Sequence, residues 1–185
     1  MFSWSFYVTL AFMVLLLPLQ WILAATIAAA VHELFHILCL RMFSVSNRKI
    51  RVHLCGAVIP VEDIGRGEEL ICALAGPLGG FLLARLFPAF PRISICAIVQ
   101  SLYNLLPIYP LDGGRALDCF CALVLPPTYA AWVCRFIMWL FLGATAALAF
   151  YLSLIMNLGA LPILLCAAIF AKAIYACNHR PMALQ

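Results

Sequence analysis

The stretch WILAATIAAAVHELFHILCL, residues 21–40, is apolar until its last third, where His32, Glu33 and His36 fall within five positions. Its length is about what an α-helix needs to cross a bilayer core, roughly 20 apolar residues. No Asp, Glu, Lys or Arg precedes Glu33, so the apolar run reaches back far enough to hold another span, with Pro18 and Gln20 at the turn between the two. The start lacks a basic n-region and a small-residue cleavage site, and reads as retained structure. Ionisable groups inside a span are costly and mark a functional site by default. Here three lie together.

The rest of the composition agrees with a bilayer setting. Hydrophobic residues make up 67% of the 185 and charged residues 10%, against roughly 45–50% and about 25% for soluble domains. Too few charges remain to cover a water-soluble surface, and disorder needs the opposite balance. A net charge of +4 is too small to argue for nucleic acid as a partner. The nine cysteines are odd in number and scattered through apolar stretches. They read as small buried hydrophobes rather than a disulfide framework or a zinc knuckle.

Outward from residues 21–40, the expected fold is an all-α multi-pass membrane protein forming a single domain over residues 1–185. Six spans are expected, at about 2–18, 21–40, 70–87, 93–109, 130–151 and 155–176. Between the second and third, Ile50, Val52 and Leu54 alternate with Arg51 and His53, the period of a half-exposed strand. Ala57 to Val61 then supplies a second short apolar run, so a small β-hairpin at the membrane surface is expected over residues 50–61. Such an edge could receive an extended peptide as an added strand. Glu62, Asp63, Arg66, Glu68 and Glu69 read as a solvated loop. If that loop is cytoplasmic, span alternation puts nine Lys and Arg residues on its side and only Arg85 and Arg92 on the other. Basic residues favour the cytoplasm, so both termini are expected there, in the cell membrane.

The chemistry lies in His32-Glu33-Leu34-Phe35-His36. Histidines at i and i+4 share one helix face, and their ring nitrogens can both reach one Zn²⁺ at about 2.0–2.1 Å. Glu33 beside them can take a proton from zinc-bound water. Counting back from Arg41, His36 lies about 7 Å and His32 about 13 Å below the interface. A purely structural hydrogen-bonded trio is the competing reading, and the spacing disfavours it. A catalytic zinc wants a third protein ligand and one open position. Asp112 fits, since it closes the fourth span on the same side. Gly113 and Gly114 would then allow close backbone approach to the metal. The alternative, in which Asp112 caps a helix beginning at Gly113, becomes the weaker one beside the histidine pair. Asn104 divides evenly between steadying substrate or a developing oxyanion and satisfying carbonyls freed by Pro107.

With Ala75-Gly76-Pro77 and the run Asn104-Leu105-Leu106-Pro107-Ile108-Tyr109-Pro110-Leu111-Asp112-Gly113-Gly114-Arg115, the chain resembles the site-2 protease family of intramembrane zinc metalloproteases. The likeness is greatest to the compact bacterial type that includes sporulation-factor-processing enzymes, and it covers residues 25–118. It implies a six-helix core and peptide-bond hydrolysis in or beside the membrane. One Zn²⁺ per chain would be held by His32, His36 and Asp112, with Glu33 as catalytic base. The implied partners are the lipid bilayer, a single-span membrane protein substrate such as a transcription factor precursor, and a regulatory membrane protein. The chain departs from many relatives in having Gly79 and Gly80 where they carry an Asn in the third span. A catalytically silent scaffold or chaperone of the same fold is the alternative, disfavoured because the ligands and the base are all present.

Overall fold

The computed structural model describes residues 18–43, 51–53, 56–58, 64–157 and 159–178. It divides into two compact units, residues 1–103 and 104–185. The expected first span, 2–18, lies outside the described residues apart from Pro18.

In the first unit, α1 spans Leu19–Met42. Pro18 precedes it and accepts from Trp21 N–H at 2.9 Å, a helix start that proline tolerates because its missing N–H would be unpaired there anyway. Ala24, Ala28 and His32 are buried at a spacing of four, one stripe of the helix. Small residues on that stripe let α2, Arg66–Leu86, pack against α1. The expected third span began at residue 70, and the helix starts four residues earlier. Its first turn carries Glu68 and Glu69, which favour the positive end of the helix dipole. Glu68 Oε2 accepts from Gly65 N–H at 3.2 Å. Glu69 is buried, with Arg66 Nη1 3.6 Å from its Oε2. The solvated-loop reading of Arg66, Glu68 and Glu69 is therefore corrected.

α3 spans Pro91–Asn104 and meets α1 and α2 in a cluster of Ala28, Leu83 and Ala97. The fourth span was expected to run to residue 109, but the helix stops at Asn104. Pro107 and Pro110 cannot donate to a helical ladder, and each disfavours helix in the residue before it. Two three-residue strands, β1 at Arg51–His53 and β2 at Gly56–Val58, pair antiparallel with Arg51 opposite Val58 and His53 opposite Gly56. The remaining residues of the expected 50–61 hairpin lie outside the described ones. A pair this short leaves the fold class all-α.

In the second unit, α4 is Asp112–Val124 and α5 is Pro127–Phe150, which continues as a π-helical turn, Tyr151–Ile155. α6 is Leu161–Asn178. α4 was not among the six expected spans and entered only with the alternative reading of Asp112 as a cap. The sixth span starts at Leu161 rather than 155, because the π turn still belongs to the helix before it. Asn157 and Gly159 then turn the chain with φ of 54° and 75°, angles that glycine and asparagine adopt most readily. The proline-bearing segment 105–111 places Ile108 and Leu111 in a cluster with Met138, Leu142 and Ala173. Leu142 is 1% exposed. Its replacement by alanine is expected to destabilise this unit by about 2–5 kcal/mol, measurable as unfolding in detergent micelles.

Among the described residues, three helices are long and apolar enough to cross a membrane: Leu19–Met42, Arg66–Leu86 and Pro127–Ile155. Three of the six expected spans, 21–40, 70–87 and 130–151, correspond to these helices. α3, at 14 residues, reaches only about 21 Å, and the apolar stretch Pro162–Ala171 in the last helix is shorter still. Leu23, Ile27, Leu34 and Leu38 of α1 and Trp132, Phe136 and Trp139 of α5 face outward, as lipid contact requires. The chain is an all-α membrane protein.

Candidate metal centre

α1 sets His32 and His36 one turn apart, as their spacing requires. His32 is 3% exposed and His36 is half-buried. Their Nε2 atoms are 3.2 Å apart, with the ring planes at 81°. Two nitrogens bound to one tetrahedral zinc at 2.0–2.1 Å would be separated by about 3.3 Å. The pair thus already has the spacing of one edge of a zinc coordination tetrahedron, and the donor set fits the ion.

The other nitrogen of His36 fixes the tautomer. Nδ1 lies 2.7 Å from the carbonyl oxygen of Cys72 on α2. A carbonyl only accepts, so Nδ1 donates and the lone pair is on Nε2, facing His32. A metal-binding histidine is commonly held in this way. α2 also walls the pair on one side. A methyl group added at Gly76 would fall on His36 Nε2 and 2.7 Å from His32 Nε2. The sequence shows Gly76 only as part of a small-residue run, and what packs against it is the imidazole pair. The signal was in the Ala75-Gly76-Pro77 run, but which residues it faces is a long-range matter.

Glu33 follows His32 on α1 and is half-buried, at the carboxylate position the H-E-x-x-H pattern assigns. Phe35 turns the other way, its ring against Gly79. A methyl group added at Gly80 would run into the hydroxyl of Ser101 and stand 3.1 Å from the Ala97 carbonyl oxygen of α3. Gly79 and Gly80 thus serve close helix packing.

In the second unit, Asp112 is the first residue of α4 and is half-buried. The cap position falls on Leu111, in extended conformation, and no side chain caps the helix. A helix does begin here, one residue earlier than the alternative reading of Asp112 as a cap had it, with Leu111 in the cap position. Gly113 and Gly114 do allow a close backbone approach, but their partners are the main chains of Leu105 and Leu106 and of Ile108 and Tyr109. The two glycines let the proline turn lie back on the start of α4. Asn104 ends α3 and is half-buried.

No family model matches the chain. It is 27% identical over 105 residues to a zinc metalloprotease of Methanocaldococcus jannaschii, an alignment covering 49% of this chain and 31% of that relative. The chain thus matches about a third of that relative's length. Its structure resembles that of the site-2 protease from Methanocaldococcus jannaschii with a TM-score of 0.65, covering 97% of this chain and 88% of the other at 18% identity. That identity speaks for the fold alone. By sequence the chain is thus similar to a zinc metalloprotease, and in fold to a site-2 protease.

Proposed function

We propose that the chain is an intramembrane zinc metalloendopeptidase that cuts peptide bonds in or near the transmembrane segments of membrane-tethered substrates. The observation that carries this reading is the Nε2 pair of His32 and His36, 3.2 Å apart on a helix apolar enough to cross a membrane. His32 and His36 would hold a single zinc, with Asp112, the third ligand expected from the sequence, completing the donor set. When bound, the ion lowers the pKa of water toward about 7 and polarises the scissile carbonyl.

The chain's own residues do the rest. Glu33 accepts the proton of the attacking water and passes it to the leaving amine. The carbonyl of Cys72 keeps the His36 ring in its binding tautomer, and Gly76 keeps that face of the pair closed. Asn104 would hydrogen-bond the substrate backbone or the developing oxyanion. A transmembrane substrate keeps its carbonyls in internal hydrogen bonds and must unwind locally to be cut. The fitting substrate class is a single-span protein such as a transcription factor precursor, with a regulatory membrane protein as a further partner. The reading places the protein in the cell membrane as a multi-pass protein, its site near the cytoplasmic face and both termini in the cytoplasm.

The test combines metal analysis with a cleavage assay. The purified chain is expected to hold one zinc, to stop cutting a membrane-tethered test substrate when a chelator strips it, and to resume when zinc is restored. A chain that cuts equally well without zinc, or never retains the ion, would overturn the reading.

A further inference from the structure

Three residues beyond His36 on α1 lies Cys39, and its sulfur is 3.2 Å from that of Cys72 on α2. Neither cysteine is in a disulfide, and both are buried, at 8% and 5% exposure, in a cluster with Leu40. A disulfide has its sulfurs about 2.05 Å apart, so closure asks each sulfur to move by about 0.6 Å. Few side-chain pairs on separate helices start so near. The arrangement contrasts with the reading of the cysteines as inert space-fillers, since scattered positions in the chain converge here. Cys72 is also the residue whose carbonyl receives the His36 Nδ1 proton, so a covalent tie at Cys72 acts on the chain segment that orients His36.

We propose that Cys39 and Cys72 form an oxidation site, a dithiol that a small peroxide converts reversibly to a disulfide joining α1 to α2. The step balances as two thiols and one hydrogen peroxide giving one disulfide and two waters. One thiol, as thiolate, attacks a peroxide oxygen; the O–O bond breaks, and the leaving hydroxide takes up the thiol proton to leave as water. The resulting sulfenic acid is attacked by the second sulfur, its S–O bond breaks, and the second water leaves. Each sulfur gives up one electron, and the peroxide takes both. Hydrogen peroxide is neutral and near the size of water, which suits buried thiols. Disulfides inside cells are commonly transient and redox-sensing, which fits a pair that is reduced at rest.

The linkage does not depend on the metal reading; its effect on the hold on His36 does. The test therefore uses the full chain in detergent, stripped of metal, exposed to hydrogen peroxide, and followed by thiol counting and peptide mapping. The expected result is a loss of two thiols per chain with a crosslinked peptide pair containing residues 39 and 72, reversed by dithiothreitol. Cys39→Ala is expected to abolish that pair. Thiols lost without the 39–72 pair, or a linkage confined to Cys121 and Cys134, which pack together elsewhere, would overturn the proposal. Because zinc takes no part in this readout, a chain that fails to bind zinc leaves the crosslink test intact, and a missing crosslink leaves the zinc assignment intact.

Discussion

Glu33→Gln is expected to retain zinc at the wild-type stoichiometry while cleavage of a membrane-tethered substrate falls by about 10²–10⁴-fold, the range for loss of a general base. Glutamine keeps the length and shape of the side chain, and its helix propensity is close to that of glutamate. α1 should therefore stay as it is, with His32 and His36 still 3.2 Å apart. What glutamine lacks is a carboxylate oxygen that can accept the proton of the attacking water. The effect should thus appear in kcat and leave the metal content unchanged. Two measurements on the same preparation check it: zinc per chain, and the initial rate of product formation. A variant that cuts at the wild-type rate would move the base to another residue. Bound zinc in a wild type that cuts nothing would favour the silent scaffold.

How much of this was legible in the sequence depends on the range over which each feature is determined. His32, Glu33 and His36 were legible because helical spacing and an apolar setting are local. α1 and α5 were placed to within about three residues, at Leu19–Met42 and Pro127–Phe150, because long apolar runs announce themselves. α4 was missed for the opposite reason. It is 13 residues long, and its charges at Asp112, Arg115 and Asp118 recur every third position, so it is amphipathic and falls below any hydropathy threshold for a span. The start of α2 was read as loop because acidic residues resemble solvent-facing sequence, although in a first turn they stabilise a helix. The partners of His36 were beyond reach. That Cys72 offers a carbonyl and Gly76 an absent side chain follows only from how α2 lies along α1. The third expected ligand, Asp112, was placed by an argument about sides of the membrane; that it is also the first residue of α4 follows from local backbone geometry.

Gly76→Ala tests that long-range part directly, and zinc affinity is expected to fall by at least about 100-fold, the upper end for losing a partner that orients a ligand. The added methyl would clash with His36 Nε2 and stand 2.7 Å from His32 Nε2, so either the helix or the rings must give. α2 has little room to retreat. Gly79 already lies against the Phe35 ring, Gly80 against Ser101 and the Ala97 carbonyl, and Pro77 is fully buried. The rings therefore move, and any rotation of His36 breaks the 2.7 Å bond from Nδ1 to Cys72. Overpacking of this kind also costs about 1–3 kcal/mol of stability, which alone would lower metal retention only through unfolding. Zinc affinity by chelator competition, read alongside thermal unfolding in micelles, separates the two effects. Gly143→Ala is the control, since nothing lies within 4 Å of a methyl group there, and both quantities should stay at or above wild type. If Gly76→Ala binds zinc as tightly as the wild type while remaining folded, the imidazole pair is not what holds the ion.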